Sequence, residues 1–358
     1  MPAHVLSRAQ TAVRELSPGY FALVMATGIV STGLDLIDQR VLSDLFLWVA
    51  GVAFVLLAFL SGWRVVRYRD RLAQDFLNLR RDFGFLTFVA GTNVLAARLA
   101  LAGQVLLATV LLIGAGVSWL ILGYVVPWAA FLSRGERPPL AEANGSWFMW
   151  VVSSQSVAVA AASLEMHTAG AHSTLQVLSV LTWSIGVFLY GVAGIFVALR
   201  MVLYEFHAEA LDPTYWITMG AASITVLAGA GIVDMSSAPL VDDVRGLVKA
   251  LSVMFWALAT WLIPLLLAAF WWRHVAHRVR LAYEPAYWSV AFPLGMYAVA
   301  SIYLGRADQL ELVADIGRVE LWVAVAFAAL LLVAMVEHVV RTVLLEGPAE
   351  GEPPPEPA

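Results

Sequence analysis

Ten uncharged stretches divide the chain: residues 16 to 34, 45 to 63, 83 to 97, 99 to 133, 143 to 164, 166 to 199, 213 to 233, 250 to 272, 285 to 305 and 321 to 336. A hydrocarbon core about 30 Å thick takes about 20 apolar helical residues, so each stretch reads as a membrane-spanning helix. The third and tenth are short and are expected to run on past Arg98, Glu320 and Glu337. Each odd-numbered stretch opens on aromatic residues: Tyr20-Phe21, Phe83 with Phe85, Trp147-Phe148, Tyr215-Trp216 and Tyr287-Trp288. Phe21, Phe85, Phe148, Trp216 and Trp288 lie 64, 63, 68 and 72 residues apart, so the repeating unit is a helical hairpin used five times.

Seven residues after these aromatics stand Gly28, Thr92, Gln155, Ser223 and Gly295, all small or polar, at matched depth. Thr27, Asn93 and Ser154 beside them are of the same kind. The even stretches are bulkier, as in MFWALATWLIPLLLAAF. The expected fold class is therefore an all-α integral membrane protein, ten helices as five hairpins, with the odd helices around a central pore and the even ones toward lipid. Small residues also permit close helix packing in ordinary bundles. The fivefold recurrence at one depth favours a lining role for Thr27, Gly28, Thr92, Asn93, Ser154, Gln155, Ser223 and Gly295.

Composition agrees with one membrane domain, since 61% of the 358 residues are hydrophobic, 13% are charged and the mean hydropathy is +0.81. No cysteine is present, which excludes disulfides and thiolate chemistry. The expected division is a cytoplasmic segment 1–16, a transmembrane domain 17–345, and a disordered acidic, Pro-rich tail 346–358 (GPAEGEPPPEPA from 347). The amino terminus has no signal-peptide pattern, because Arg8, Arg14 and Glu15 interrupt it. Of the 21 basic residues, fifteen fall on the side holding both termini and six on the other, the loop RVVRYRDRLAQDFLNLRR deciding most of it. Positive loops stay cytoplasmic, so both termini are expected there, in the plasma (inner) membrane.

The inner faces carry almost no charge, and Asp35, Asp234 and Asp308 stand at or beyond helix ends. A lining of hydroxyls, amides and glycine-exposed backbone offers donors without a fixed cation, which lets anions pass without being trapped. Arg98, near the outer end of span 3, either concentrates anions in a vestibule or snorkels to the interface. Pro293 breaks the helical hydrogen bonding of span 9 and exposes polar backbone to the cavity, so it is expected to line the pore, and Phe292 beside it is bulky enough to plug a narrow pore or simply pack between helices. No histidine pair faces the bilayer centre; His274 and His277 flank Trp271-Trp272 as interfacial anchors rather than metal ligands. No motif of an enzyme, cofactor site or nucleic-acid-binding module is found, so no cofactor, metal or nucleic-acid partner is expected.

The runs SPGYFALVMATGIVSTG (17 to 33) and YWSVAFPLGMYAVAS (287 to 301) resemble the tellurite-resistance/dicarboxylate transporter family, which includes the bacterial TehA protein, yeast malate and sulfite transporters and the plant SLAC-type anion channels. The resemblance covers about residues 17 to 345. It implies a homotrimer whose protomers each hold a pore of five inner helices, gated by Phe292 before Pro293. The tail lacks the long extensions of the plant channels, so kinase control of that type is not expected. Two functions stay open: a passive channel for small anions such as chloride or nitrate, and a coupled carrier or exporter of C4-dicarboxylates such as malate or of oxyanions such as sulfite and tellurite.

Overall fold

The computed structural model describes residues 3–132, 138–168, 172–205, 207–307 and 309–345. Asp308, the loop arginines Arg134 and Arg137 and the 346–358 tail lie outside them. A short amphipathic helix, α1 (Ala3–Arg14), packs on the end of α3 and precedes the first span. The odd spans contain α2 (Ala22–Leu36), α5 (Leu86–Leu101), α8 (Met149–Glu165), α10 (Ile217–Val233) and α12 (Trp288–Ala307). The even spans are α3 (Arg40–Arg67), α6 (Val105–Leu132), α9 (His172–Leu203), α11 (Pro239–Trp271) and α13 (Glu311–Val339), while α4 (Arg69–Leu77) and α7 (Pro139–Glu142) are short connectors.

Ten helices are long and apolar enough to cross a membrane among the described residues, and the third and tenth pass through Arg98 and through Glu320 and Glu337. The two sets differ sharply in burial. Between 72 and 94% of each odd span's apolar window is buried, against 11 to 22% for the even spans. The odd helices close a ring, α2 touching α5, α5 touching α8, α8 touching α10, α10 touching α12 and α12 returning to α2. Each even helix lies outside its own partner, α3 on α2, α6 on α5, α9 on α8, α11 on α10 and α13 on α12. Even helices keep large apolar side chains exposed, including Trp48, Tyr124, Phe188 and Trp261, as lipid contact requires.

The aromatic openings of the odd spans form short 3-10 turns: Pro18–Phe21, Asp82–Phe85, Gly145–Phe148, Pro213–Trp216 and Pro285–Tyr287. Each runs on into its helix, so that Pro18–Leu36, for example, is one continuous span of 19 residues. Three are fixed by side-chain caps, with Ser17, Asn144 and Asp212 accepting from the amides of Gly19, Ser146 and Thr214. Prolines start three of them at positions where a helix has no amide to lose. Gly145 lets one turn approach another, because a Cβ there would run into the backbone of Thr214 and Tyr215. The rings interlock as well: Phe83 stacks on Trp147 at 5.0 Å and Phe21 meets Phe88 edge-on at 5.1 Å. Five helix amino termini are thus gathered at one end of the ring.

Candidate functional site

Two cavities lie on the ring, one at each end. At the amino ends of the inner helices a cavity of about 220 Å3 is walled by residues from all five 3-10 turns or their first helical turn: Gly19, Thr87, Ser146, Ile217 and Ser289 among them. At the carboxyl ends a second, of about 80 Å3, takes Ile29 and Thr32 from α2, Val94 and Ala97 from α5, Ser156 and Val159 from α8, Ile224 and Leu227 from α10, and Met296 and Tyr303 from α12. Both are therefore enclosed by the same five helices.

Helical spacing defines what separates them. Met25, Ala90, Val152, Gly220 and Phe292 each stand four residues before the carboxyl-side wall residues Ile29, Val94, Ser156, Ile224 and Met296. In four of the helices the same residues stand three after the amino-side wall residues Thr87, Met149, Ile217 and Ser289. All five are buried, and Phe292 is 1% exposed. This layer contains one aromatic ring, that of Phe292, and beside it, on the neighbouring helix α10, one glycine. A Cβ on Gly220 would lie 3.3 Å from Phe292 Cε1 and 2.9 Å from Pro293 Cγ, so the absence of a side chain there makes room for the ring and the proline. Pro293 interrupts α12 and leaves the carbonyl of Ser289, four residues earlier, without its helical donor.

The other sequence-derived lining residues sit elsewhere, and none of them walls either cavity. Ser154 Oγ donates to Thr182 O at 2.9 Å and Gln155 Nε2 to Trp183 O at 3.1 Å, so both face the outer helix α9. Gln155 also fills the space over Gly186. A Cβ on Gly28 would meet Val94 Cγ1 of α5 at 2.9 Å, and one on Gly295 would meet Ile29 Cγ2 of α2 at the same distance. These glycines are packing seams between ring neighbours. The hydroxyls of Thr27, Thr92 and Ser223 return to their own helices, at Leu23 O, Phe88 O and Met219 O. Asn93 Nδ2 donates to Ser156 Oγ at 3.1 Å across the α5–α8 seam. The cavity-facing register is one residue further on, two in α5, which about 100° of helical rotation per residue turns from seam to lumen.

Arg98 is neither a free vestibule cation nor a snorkelling one. It is 3% exposed, donating to Ser31 Oγ at 3.0 Å, Ser43 Oγ at 3.0 Å and Asp35 Oδ1 at 3.2 Å, which ties α5 to α2 and α3. His274 and His277 engage main-chain carbonyls, of Val279 and Trp272. A second buried node joins Asp75 to Arg64 and to Arg81.

The sequence-based reading missed the charged groups of the amino-side cavity, which come from loops and turn starts: Arg80, Arg81, Asp212 and Glu284. Arg80 pairs with Glu142 at 2.6 Å. Asp212 holds the amide and hydroxyl of Thr214. Glu284 lies 4.0 Å from Arg273, whose guanidinium also donates to the carbonyls of Glu209 and Leu211 and so fixes the approach to Asp212. Burial raises the Asp212 carboxyl above its usual range, against the Thr214 hydrogen bonds and Arg273. Burial raises Glu284 likewise, with Arg273 opposing and Asp212 adding to the shift. The repeated turn motifs PGYF, DFGF, GSWF, PTYW and PAYW were the available signal, because they put five helix starts at one place. At the carboxyl side the only charged wall residue among the described residues is Asp234, which burial also raises, with Arg245 opposing.

A ring of five inner helices with a cavity at each end is the architecture of a transmembrane conduit. The family model for voltage-dependent anion channels (SLAC1) matches residues 15–342, and the chain belongs to that family. An uncharacterized membrane protein of Mycobacterium tuberculosis is 50% identical over 156 residues, 44% of this chain and 79% of the relative. Two uncharacterized transporters of Methanocaldococcus jannaschii match nearly end to end: 24% identity over 351 residues (94% of this chain, 96% of the relative) and 23% over 337 (92% and 96%). The chain is thus a multi-pass membrane protein of a channel-like anion transporter family, which is not an enzyme class.

Proposed function

We propose that each protomer conducts small anions along the axis of its inner ring and that Phe292 is the gate that closes this path. The observation carrying the proposal is the position of Phe292: it lies on the face of α12 that walls one cavity through Ser289 and the other through Met296, in the buried layer between them. Rotation of one ring away from Gly220 would join the cavities, whereas opening the same path by moving helices would disturb the whole interlocked set of turns. The conducting state is then a side-chain rotamer change, of the kind that occurs without refolding.

Phe292→Ala is expected to give constitutive anion current at least about tenfold above wild type, the factor that about 1.4 kcal/mol of barrier represents. Currents no larger than wild type at equal surface expression would remove the gate assignment. With the arginine bias of the loops and the family resemblance, the reading extends to a homotrimer in the plasma membrane with both termini cytoplasmic, which puts the larger cavity on the cytoplasmic side. Cross-linking in native membranes and protease accessibility of terminal tags test these two points.

A second reading, a coupled carrier of dicarboxylates or oxyanions, is favoured by one observation: the carboxylates Asp212, Glu284 and Asp234 at the two mouths are held toward their protonated forms. Flux in proteoliposomes across an anion series, with and without a pH gradient, separates the two. Accumulation against the anion gradient belongs to a carrier; dissipation alone belongs to a channel.

A further inference from the structure

We infer that the amino-side cavity is a binding subsite for one small monovalent anion of halide or nitrate size, held by the hydroxyls of Ser17, Ser146 and Ser289. The inference rests on the anion-conduit reading and deepens it, by naming where along the path an ion pauses. The three serines come from three different turns and wall the same cavity. Ser146 is 5% exposed and its Oγ is buried without a hydrogen-bond partner. Ser289 is also buried, and its hydroxyl engages no side chain or carbonyl among the described residues. Ser17 Oγ accepts the Gly19 amide at 3.3 Å, which occupies a lone pair and leaves its proton free to donate. Three hydroxyl protons are therefore available within the wall of a cavity of about 220 Å3, room for an ion with part of its hydration shell, since water takes about 30 Å3 in the liquid.

The electrostatics of the wall favour a negative guest without trapping it. Five continuous inner helices begin here, and their amino-terminal dipole ends converge on the cavity. The carbonyl of Ser289 released by Pro293 points with the other helical carbonyls toward the carboxyl end, away from it. Among the wall charges, Arg81 is paired with Asp75 at 2.9 Å and Arg80 with Glu142 at 2.6 Å. Asp212 is occupied as the cap of Thr214. Glu284 faces Arg273. The guest thus meets hydroxyls and helix ends rather than a bare guanidinium, which gives a weak site suited to rapid release. The carboxyl-side cavity has no such set: Ile29, Val94, Ile224, Leu227 and Met296 dominate its wall, and Ser156 is already bonded to Ser153 O.

The test uses the full-length protein and bromide. Crystals grown in bromide are expected to show an anomalous peak among Ser17, Ser146 and Ser289, absent in the Ser146→Ala/Ser289→Ala double variant. In proteoliposomes the half-saturating bromide concentration is expected to rise about tenfold in that variant, with Ser146→Thr, which keeps the hydroxyl, staying close to wild type. Saturable wild-type flux with unchanged half-saturation in the double variant, or crystals with no peak in this cavity, would overturn the subsite while leaving the conduit standing. A peak at the serines without any wild-type flux would sink the conduit reading and support the subsite as a binding site alone. Circular dichroism melting of the double variant guards against misfolding, since a variant that melts with wild type and still binds bromide normally counts against the inference.

Discussion

The two mouths of the inner ring are made from opposite ends of the same five helices, and they differ accordingly. The amino-side mouth is wide and polar, set among helix starts, serines and paired charges. The carboxyl-side mouth is narrow and mostly apolar, with Asp234 its single charged wall residue among those described. Between them lies one buried layer in which Phe292 is the largest side chain. In the conduit we propose, this contrast separates the attraction of anions, at the helix amino termini, from closure of the path, in a hydrophobic layer one turn deeper.

The strongest way to break this comparison is to show that a fixed cation serves the carboxyl-side mouth after all. Arg98 is the candidate, and its burial against Ser31, Ser43 and Asp35 makes it a staple of three helices instead. Arg98→Ala should therefore cost about 3–5 kcal/mol of stability, the usual consequence of breaking a buried charged network, seen as a large fall in detergent melting temperature. The anion preference of the surviving protein should be unchanged, and a shift in reversal potential would return Arg98 to the pathway. Gly220→Val comes next. Its added atoms would press on Phe292 and Pro293, and overpacking of this kind costs about 1–3 kcal/mol. In a Phe292→Ala background, where the ring is gone, the same substitution should be tolerated better, which a double-mutant cycle in current and melting temperature reads directly.

How far these positions were legible beforehand depends on which physical signal they carry. The spans, the hairpin repeat and the inner-outer division followed from apolar length and from the aromatic openings, because lipid exposure and ring packing both leave strong compositional marks. The lumen register did not. Gly28, Gly295 and Gln155 look like lining because they are small or polar, yet small residues in a membrane bundle are also what close helix seams need. The residues on the cavity face, Ile29, Val94, Ile224 and Met296, are apolar and indistinguishable in the sequence from core. Phe292 stood out beside Pro293 as bulky enough to plug a pore, but only the resemblance of its WSVAFP run made it a gate candidate, since a buried phenylalanine next to a proline has many other uses. Asp212 and Glu284 reach the cavity through loops, whose meeting at one mouth is a tertiary fact that no local pattern encodes.

Smaller effects separate the mouths by charge. At the amino-side mouth Asp212 and Glu284 are raised mainly by burial, with Arg273 opposing both, Arg80 also opposing at Asp212, and His274 at Glu284. Protons therefore bind these carboxyls above the ordinary value of about 4. Acidifying that face neutralises them, leaves the helix ends and Arg273 without their opposing charge, and should raise anion entry about threefold; alkaline pH should reverse it. Asp212→Asn/Glu284→Gln should flatten the pH profile, and a variant that titrates as wild type does would place the sensor elsewhere. Least of all should change with Asp234→Asn. Removing the one charged wall residue described at the carboxyl-side mouth should raise entry from that face less than the double variant does from the other, as paired flux measurements from the two sides would show.

The central claim, two cavities on one axis parted by the Phe292 layer, can be tested on a chain that holds no cysteine of its own. Single cysteines at Ser289 and Met296 would be challenged with a membrane-impermeant thiol reagent from each face in turn. The account predicts that Ser289→Cys reacts only from the face bearing the helix amino ends and Met296→Cys only from the opposite face. Adding Phe292→Ala should open both to both sides. Labelling of either cysteine from both faces while Phe292 is intact, or of neither once it is removed, would contradict the account.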